Sequence, residues 1–379
     1  MVRFSKRFPA VMASAVLIQV GILSAVAYTA SDQPRMAPVI GPEILDSMKT
    51  LPGGLGALPE VQLPADNPAT PEKIELGKRL FFEKRLSGDM STSCATCHAP
   101  EKAFTDGLVR SRGFNGKTLR RNSPTVLNAA YNSAQFWDGR AATLDEQCKG
   151  PLLSPDEMNM ASETQIVERL SAIPGYRKDF QEVFGAPPSL NLVAKAVSAF
   201  ERTLVTPDSR FDRYAAGDKK ALTDPEKRGL VLFFGKAACS ECHKGSNFTD
   251  NKYHNLGFGQ APGSPNDAGR FEISHNPEDQ GAFKTPTLRN VALTGPYMHD
   301  GSSKTLEDVI DLYDRGGGDD PNKSKLVYKL ELTPQEKSDL VAFLKSLTGT
   351  VPQVQAPVPY PEETPAKQLK QKHSGRHAG

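Results

Sequence analysis

Two short motifs constrain this chain more than any other feature. Ser-Cys-Ala-Thr-Cys-His (93–98) and Ala-Cys-Ser-Glu-Cys-His (238–243) each place two cysteines three positions apart, with a histidine directly after the second. Thioether bonds to the two vinyl groups of a haem need two cysteines on one turn of chain. The adjoining histidine then reaches the iron from the proximal side. The rivals are a zinc site and a dithiol redox motif. A zinc ribbon sets its cysteine pairs about 15–20 residues apart, whereas Cys94 and Cys239 are 145 residues apart. Cys94, Cys97, His98, Cys239, Cys242 and His243 are therefore expected to hold two haem c groups. Two haems on one chain are either two steps of a wire or a reaction centre and its supplier.

The motifs lie in a longer repeat. A Phe-Phe pair precedes each one (81–82, 233–234), and Phe-Thr-Asp follows each (104–106, 248–250). SPTVLNAAYNSAQFWDGRAATLDEQ begins at Ser123 and TPTLRNVALTGPYMHDGSSKTLEDV at Thr285, an ungapped match at an offset of 162 residues. Asn128 matches Asn290, and Asp138-Gly139 matches Asp300-Gly301. Thr70-Pro71 and Asp224-Pro225-Glu226 open helical patterns, because proline suits the first turn. Amphipathic helices are predicted at Asn191–Leu204 and Thr333–Leu347, the second with a Thr333/Glu336 capping box. No convincing period-2 strand occurs. The predicted class is all-α: two tandem cytochrome c-like haem domains, 68–207 and 208–351, from an internal duplication.

The ends read differently. Arg3, Lys6 and Arg7 precede an apolar run from Pro9 to Ala27 that closes on Ala-Val-Ala. That pattern predicts a signal peptide over 1–27 and a periplasmic protein. An uncleaved anchor is the alternative, since the run approaches the roughly 20 residues that span a bilayer. No later segment is apolar enough to span a membrane. Residues 28–67 read as an extension, and the Pro-rich, basic stretch 352–379 as a disordered tail. A formal net charge of +2 gives no reason to expect a nucleic-acid partner. With four cysteines assigned to haem, Cys148 is left over.

The sixth ligands are the informative question. Of seven histidines the first half holds His98 alone. Met90, Met158 or Met160 could face the first iron; otherwise its position is open to peroxide. At the duplication offset Pro151 matches Tyr313. If both segments cross the distal face of their own haem, the second copy offers a phenolate where the first offers proline, which has no donor atom. Gln147 and Glu157 flank the resulting vacancy. A carboxylate there can move a proton between the two oxygens of peroxide; the plain alternative is that both are surface residues.

With these residues in view, the chain resembles the bacterial dihaem cytochrome c peroxidase/MauG superfamily over about 68–351. The likeness runs through both haem motifs, RNSPTVLNAAYNSAQFWDGRA, FERTLVTPDSRFDRY and LRNVALTGPYMHDG. It implies a peroxide-reacting N-terminal haem, an electron-transfer C-terminal haem and a calcium ion between them. Trp137 matches the bridging tryptophan, and Gln147 with Glu157 the distal-pocket pair. Asn122, Thr294 and Pro296 match the calcium positions. Typical peroxidases of the family carry a gating histidine in Gly-His-Gly, where this chain has Gly113-Phe114-Asn115. They also place methionine on the second haem, where Tyr313 here resembles the MauG-like branch. Met298 stays a possible ligand. MauG oxidises its protein substrate through a surface tryptophan before the second motif; this chain has Ala237 there, and Trp137 is its one tryptophan.

The expectation is an exported dihaem peroxidase that reduces hydrogen peroxide at an open first haem. The His/Tyr second haem stores or relays oxidising equivalents from a donor such as a small cytochrome or cupredoxin. The alternatives are a MauG-like oxidase modifying a protein partner and a plain electron-transfer dihaem cytochrome.

Overall fold

Threonine caps and proline-bearing first turns open both halves. Thr70 accepts from the Lys73 amide at 3.3 Å at the head of α1 (Pro71–Phe81). In the second half Thr223 and Glu226 cap each other at the head of a helix over Asp224–Phe234. The computed structural model describes residues 56–257 and 267–362; the signal peptide and most of the extension read from the sequence lie outside them. In the first lobe α1 is followed by α2 (Cys94–Cys97), α3 (Leu144–Leu153), α4 (Glu163–Ser171), α5 (Pro174–Phe184) and α6 (Leu190–Glu201). The second lobe contains α7 (Arg210–Ala215), α8 (Asp224–Phe234), α9 (Phe271–Ser274), α10 (Leu306–Asp314) and α11 (Pro334–Ser346). A two-residue antiparallel pair, β1 (Tyr253–His254) with β2 (Phe283–Lys284), is the sheet among the described residues. No helix among them is long and apolar enough to cross a membrane.

In each lobe the helix that leads to the cysteine motif crosses the lobe's last helix, and the crossing depends on one glycine. A Cβ on Gly77 of α1 would lie 1.9 Å from the Ala196 carbonyl oxygen of α6. A Cβ on Gly229 of α8 would lie 2.0 Å from the Asp339 carbonyl of α11. The close approach brings Phe81 edge-on to Phe200 at 5.3 Å and Phe233 edge-on to Phe343 at 5.1 Å. These four rings are buried at the centres of the two apolar cores. Asn128 and Asn290 adopt left-handed φ of 60° and 59° and do equivalent work. Asn128 bonds both ways with Thr206 at 2.7 and 2.9 Å, and Asn290 takes the Leu347 carbonyl at 3.1 Å and donates to that of Gly349 at 3.2 Å.

The lobes meet in a pseudo-twofold seam. The Asn122 amide donates to the His299 carbonyl and the Lys284 amide to the Trp137 carbonyl, each at 2.7 Å. Asn122 matches Lys284, and Trp137 matches His299, at the same 162-residue offset. Gly139 turns against the Tyr253 ring, and Gly301 against the Val109 carbonyl. Arg121 adds a buried clamp, reaching Asp138 at 2.6 Å and Asp267 at 2.7 Å.

Residues 352–362 depart from the disordered tail expected of them. They run back along the first lobe without regular structure. Tyr360 donates to Asp179 at 2.6 Å, packs edge-on to Tyr176 at 5.1 Å and lies under the Arg79 guanidinium at 4.6 Å. An aromatic ring with a satisfied hydroxyl gives this Pro-rich segment the apolar anchor that its composition hides.

Gly77→Ala and Gly229→Ala are each expected to destabilise the protein by roughly 1–3 kcal/mol or more, because a methyl group must force two backbones apart. Chemical denaturation of the purified variants measures it. Wild-type midpoints would mean that the crossings can relax.

Candidate functional site

Both cysteine motifs wall cavities. The first encloses about 470 Å³, within the range of roughly 300–1,000 Å³ typical of cofactor pockets. Ser93 starts α2, so Cys94 and Cys97 fall on one turn and His98 follows at its end. All three line the cavity. His98 Nδ1 lies 3.2 Å from the Phe104 carbonyl, whose residue holds a left-handed φ of 58°, a conformation uncommon for a bulky side chain. Donation from Nδ1 leaves the Nε2 lone pair for a metal, and burial pushes the imidazole down towards its neutral form. Burial pushes the Cys97 thiol up to about 12 and Cys94 further still. A reactive dithiol would need the opposite shift.

The facing wall is α3 and the turn after it. Thr143 caps α3 through the Glu146 amide at 3.1 Å, and Gln147, Cys148 and Pro151 line the cavity. Pro151 has no N–H to return to the Gln147 carbonyl. Beyond the helix Glu157 and Met158 complete the wall. Burial raises the Glu157 carboxyl above its ordinary value, opposed by Arg140 and Ser154. His98 is the one histidine on this cavity among the described residues. Of the other methionines considered as ligands, Met90 is 52% exposed and Met160 rests its sulphur against Arg169 at 3.6 Å. The Gly113-Phe114-Asn115 loop is tied down by the Phe114 amide on the Asp156 carbonyl at 3.0 Å. Burial pushes the Cys148 thiol well up and Lys149 lowers it least, so Cys148 is a buried thiol rather than a thiolate.

The second cavity, about 230 Å³, repeats the plan with different side chains. Cys239, Cys242 and His243 line it, and His243 Nδ1 lies 3.0 Å from the Phe248 carbonyl. Burial pushes Cys239 up to about 12. Thr305 caps α10 as Thr143 caps α3. Tyr313, the penultimate residue of α10, lines this cavity as Pro151 lines the first. Burial raises its phenol far above the ordinary value, and the Cys239 and Cys242 sulphurs raise it further. A phenolate at this position needs a cation in front of it. Met298 also lines the cavity. Cys242 approaches Asp250 and His254 in a grouping that could hold a metal, but its sulphur belongs to the Cys-x-x-Cys-His unit.

One wall serves both cavities. Trp137, Asn122, Pro124, Lys284 and Pro286 line each of them. The Trp137 indole donates to the Asn122 carbonyl at 2.9 Å, which fixes the ring in that wall. Asn122, Thr294 and Pro296 come together on the second cavity's side of it. The Asn122 amide group donates to the Leu108 carbonyl at 2.8 Å and the Val109 carbonyl at 3.4 Å. The remaining donors are neutral oxygens, the class a hard cation takes. Two half-buried histidines, each with Nδ1 against a main-chain carbonyl, beside paired cysteines fit two c-type haems.

Comparisons with known proteins agree with this geometry. Residues 71–220 match the family model for di-haem cytochrome c peroxidase, and residues 227–348 match that for cytochrome c. The methylamine utilization protein MauG of Methylorubrum extorquens is 44% identical over 77% of this chain and 84% of its own length. Cytochrome c551 peroxidase of Nitrosomonas europaea is 39% identical over 86% of this chain and 95% of its own. Among solved structures, a MauG-like protein associated with microbial copper homeostasis superposes with a TM-score of 0.72. It is 40% identical and covers 77% of this chain and 93% of its own.

Sequence reasoning passed over Glu201. It ends α6, is 4% exposed and lines the first cavity. Its Oε2 has no hydrogen-bond partner, and burial pushes its carboxyl up to about 8. The corresponding residue after Phe343 is Leu344, which lines the second cavity. The signal was an acid in the apolar stripe of an amphipathic helix. Its folded-state pKa lies above the unfolded value of 4.5, so its contribution to stability is present below that pH and is lost as pH rises towards about 8. Glu201→Gln is therefore expected to flatten the fall in melting temperature between these pH values. An unchanged pH dependence would mean that the carboxyl ionises freely in the fold.

Proposed function

The chain belongs to the dihaem cytochrome c peroxidase/MauG family, and from that footing we propose that it reduces hydrogen peroxide at its first haem. The observation that carries the proposal is the contrast between duplicated positions. Pro151, Gln147 and Glu157 line the first cavity together with His98, whereas Tyr313 lines the second together with His243. Bound haem would supply a redox-active iron with one exchangeable position in the first site. His98 and His243 would hold the two irons through Nε2, with Cys94, Cys97, Cys239 and Cys242 as thioether anchors. Met158 packs in the apolar core at 5% exposure, and in this reading it stays there rather than binding iron.

Glu157 is the proton carrier. It would accept a proton from one oxygen of the peroxide and return it to the other as that oxygen leaves as water, while the Gln147 amide would orient the substrate by hydrogen bonding. Its raised pKa suits that work, because a carboxyl poised nearer neutrality gives a proton back more readily than one at its ordinary value. Trp137, in the wall common to both cavities, would carry charge between bound haems, and Tyr313 would hold the second iron through an anionic oxygen, which favours the oxidised state. Asn122, Thr294 and Pro296 would hold a calcium ion through oxygen. The chain is exported to the periplasm and is reduced there by a small cytochrome or cupredoxin. Its haem domains divide near residue 207.

A MauG-like oxidation of a protein partner would use the same cavities. Ala237, before the second motif, is 6% exposed, which leaves no surface aromatic at the position MauG uses.

Glu157→Gln is expected to slow peroxide cleavage by about 10²–10⁴-fold, the usual range for losing a general acid–base group. The wild-type rate rises with pH through a pKa above the ordinary glutamate value of 4.5, and the variant loses that limb. An unaltered rate and profile would remove Glu157 from the mechanism. Tyr313→Met is expected to raise the reduction potential of the second haem, since a thioether favours ferrous iron where a phenolate favours ferric. Equal potentials in redox titration would pass the ligand role to Met298.

A further inference from the structure

Lys284 ends β2 with its side chain between the cavities. It is 7% exposed and lines both of them. Its ammonium makes no hydrogen bond or ion pair with another described residue. Asp250 acts on it only from a distance, and that carboxylate is already paired with His254 at 2.9 Å. The root of the side chain is fixed, because the Lys284 amide is bonded to the Trp137 carbonyl at 2.7 Å. Burial pushes the ammonium down to about 8, as expected of a cation lacking its anion.

Buried charges persist in proteins where an opposite charge completes them. The groups expected in these cavities bring such charges, since every haem carries two propionate carboxylates. The first cavity has other cations on its wall, Arg112 among them with no carboxylate partner among the described residues, beside Arg121 and Arg140, which pair with Asp138. Lys284 is the one lysine or arginine on the wall of the second among the described residues. The duplication sharpens the point. Lys284 stands where the first half has Asn122, so the second copy carries a fixed cation at the seam position that is a neutral amide in the first.

We propose that Lys284 is the counter-ion of a propionate of the second haem, buried at the seam, and that it sets that haem's reduction potential. The proposal rests on the two-haem reading. Lys284 is a positioning and tuning residue: it touches the cofactor's carboxylate and takes no part in cleaving peroxide. A fixed positive charge near the iron favours the ferrous state. Its removal therefore lowers the potential, and the second haem responds more than the first because the first cavity keeps its arginines.

The test is spectroelectrochemical titration of the full-length holoprotein as wild type, Lys284→Met and Lys284→Arg, after haem content is fixed by the pyridine haemochrome assay. Two haems per chain, a lower second-haem potential in Lys284→Met and a near wild-type value in Lys284→Arg are expected. Two haems with identical potentials in wild type and Lys284→Met would overturn the proposal. Wild-type protein with no haem would instead overturn the reading beneath it. Should Lys284→Met not accumulate, Lys284→Gln keeps a polar group without the charge and should show the same fall. Should neither accumulate, the propionate-bending bands in resonance Raman spectra of the wild type decide. Bands at the frequency of hydrogen-bonded propionates support the proposal, and bands at that of free propionates refute it.

Discussion

Two backbone hydrogen bonds across the seam, Asn122 to His299 and Lys284 to Trp137, are the contacts on which the site's arrangement depends. They exchange equivalent positions of the duplicated halves, so one local conformation is used twice and faces itself, as in a symmetric dimer fused into one chain. A pair of this kind fixes distance and orientation together. It puts Trp137 and Lys284 in a wall shared by both cavities, and it sets the two histidine-bearing turns on either side of that wall. The Arg121 clamp between Asp138 and Asp267 holds the arrangement with buried charge. Removing one partner from such a cluster typically costs about 3–5 kcal/mol.

Within that symmetry the chemistry differs by a few side chains. Pro151 and Tyr313 occupy corresponding positions on α3 and α10, so one helix presents a ring without a donor and the other a phenol. Glu201 and Leu344 follow Phe200 and Phe343, which places an acid on the first cavity and an alkyl group on the second. Asn122 and Lys284 differ at the seam itself. Each change sits where a side chain meets a cavity rather than a core. The glycine crossings, which do set the backbone, are the same in both lobes.

This division explains what could be read from sequence. The Cys-x-x-Cys-His units, the caps at Thr70 and Thr333 and the Pro151/Tyr313 pairing depend on local spacing, and spacing survives in a string of letters. The reciprocal bonds at the seam depend on docking one lobe against the other, and the constant offset gives no hint that matched positions will touch. Glu201 escaped because a carboxylate at a helix end is ordinary until its neighbours are known. Residues 352–362 misled for a related reason. Their composition is that of a flexible tail, and a single ring, Tyr360 against Tyr176 and Arg79, reverses it. The descriptive terms peroxidase and MauG both attach to relatives of this chain, and Glu157 and Gln147 line the first cavity with His98.

The central claim is that the first haem has an exchangeable position as isolated, with no imidazole or thioether to displace. Stopped-flow mixing of fully ferric protein with hydrogen peroxide tests it most directly. An immediate change in the haem spectrum is expected, at a rate first order in peroxide and without prior addition of an electron. A response that appears only after one electron is supplied would contradict it, and would point to Met158 or another side chain as a sixth ligand that must first be released.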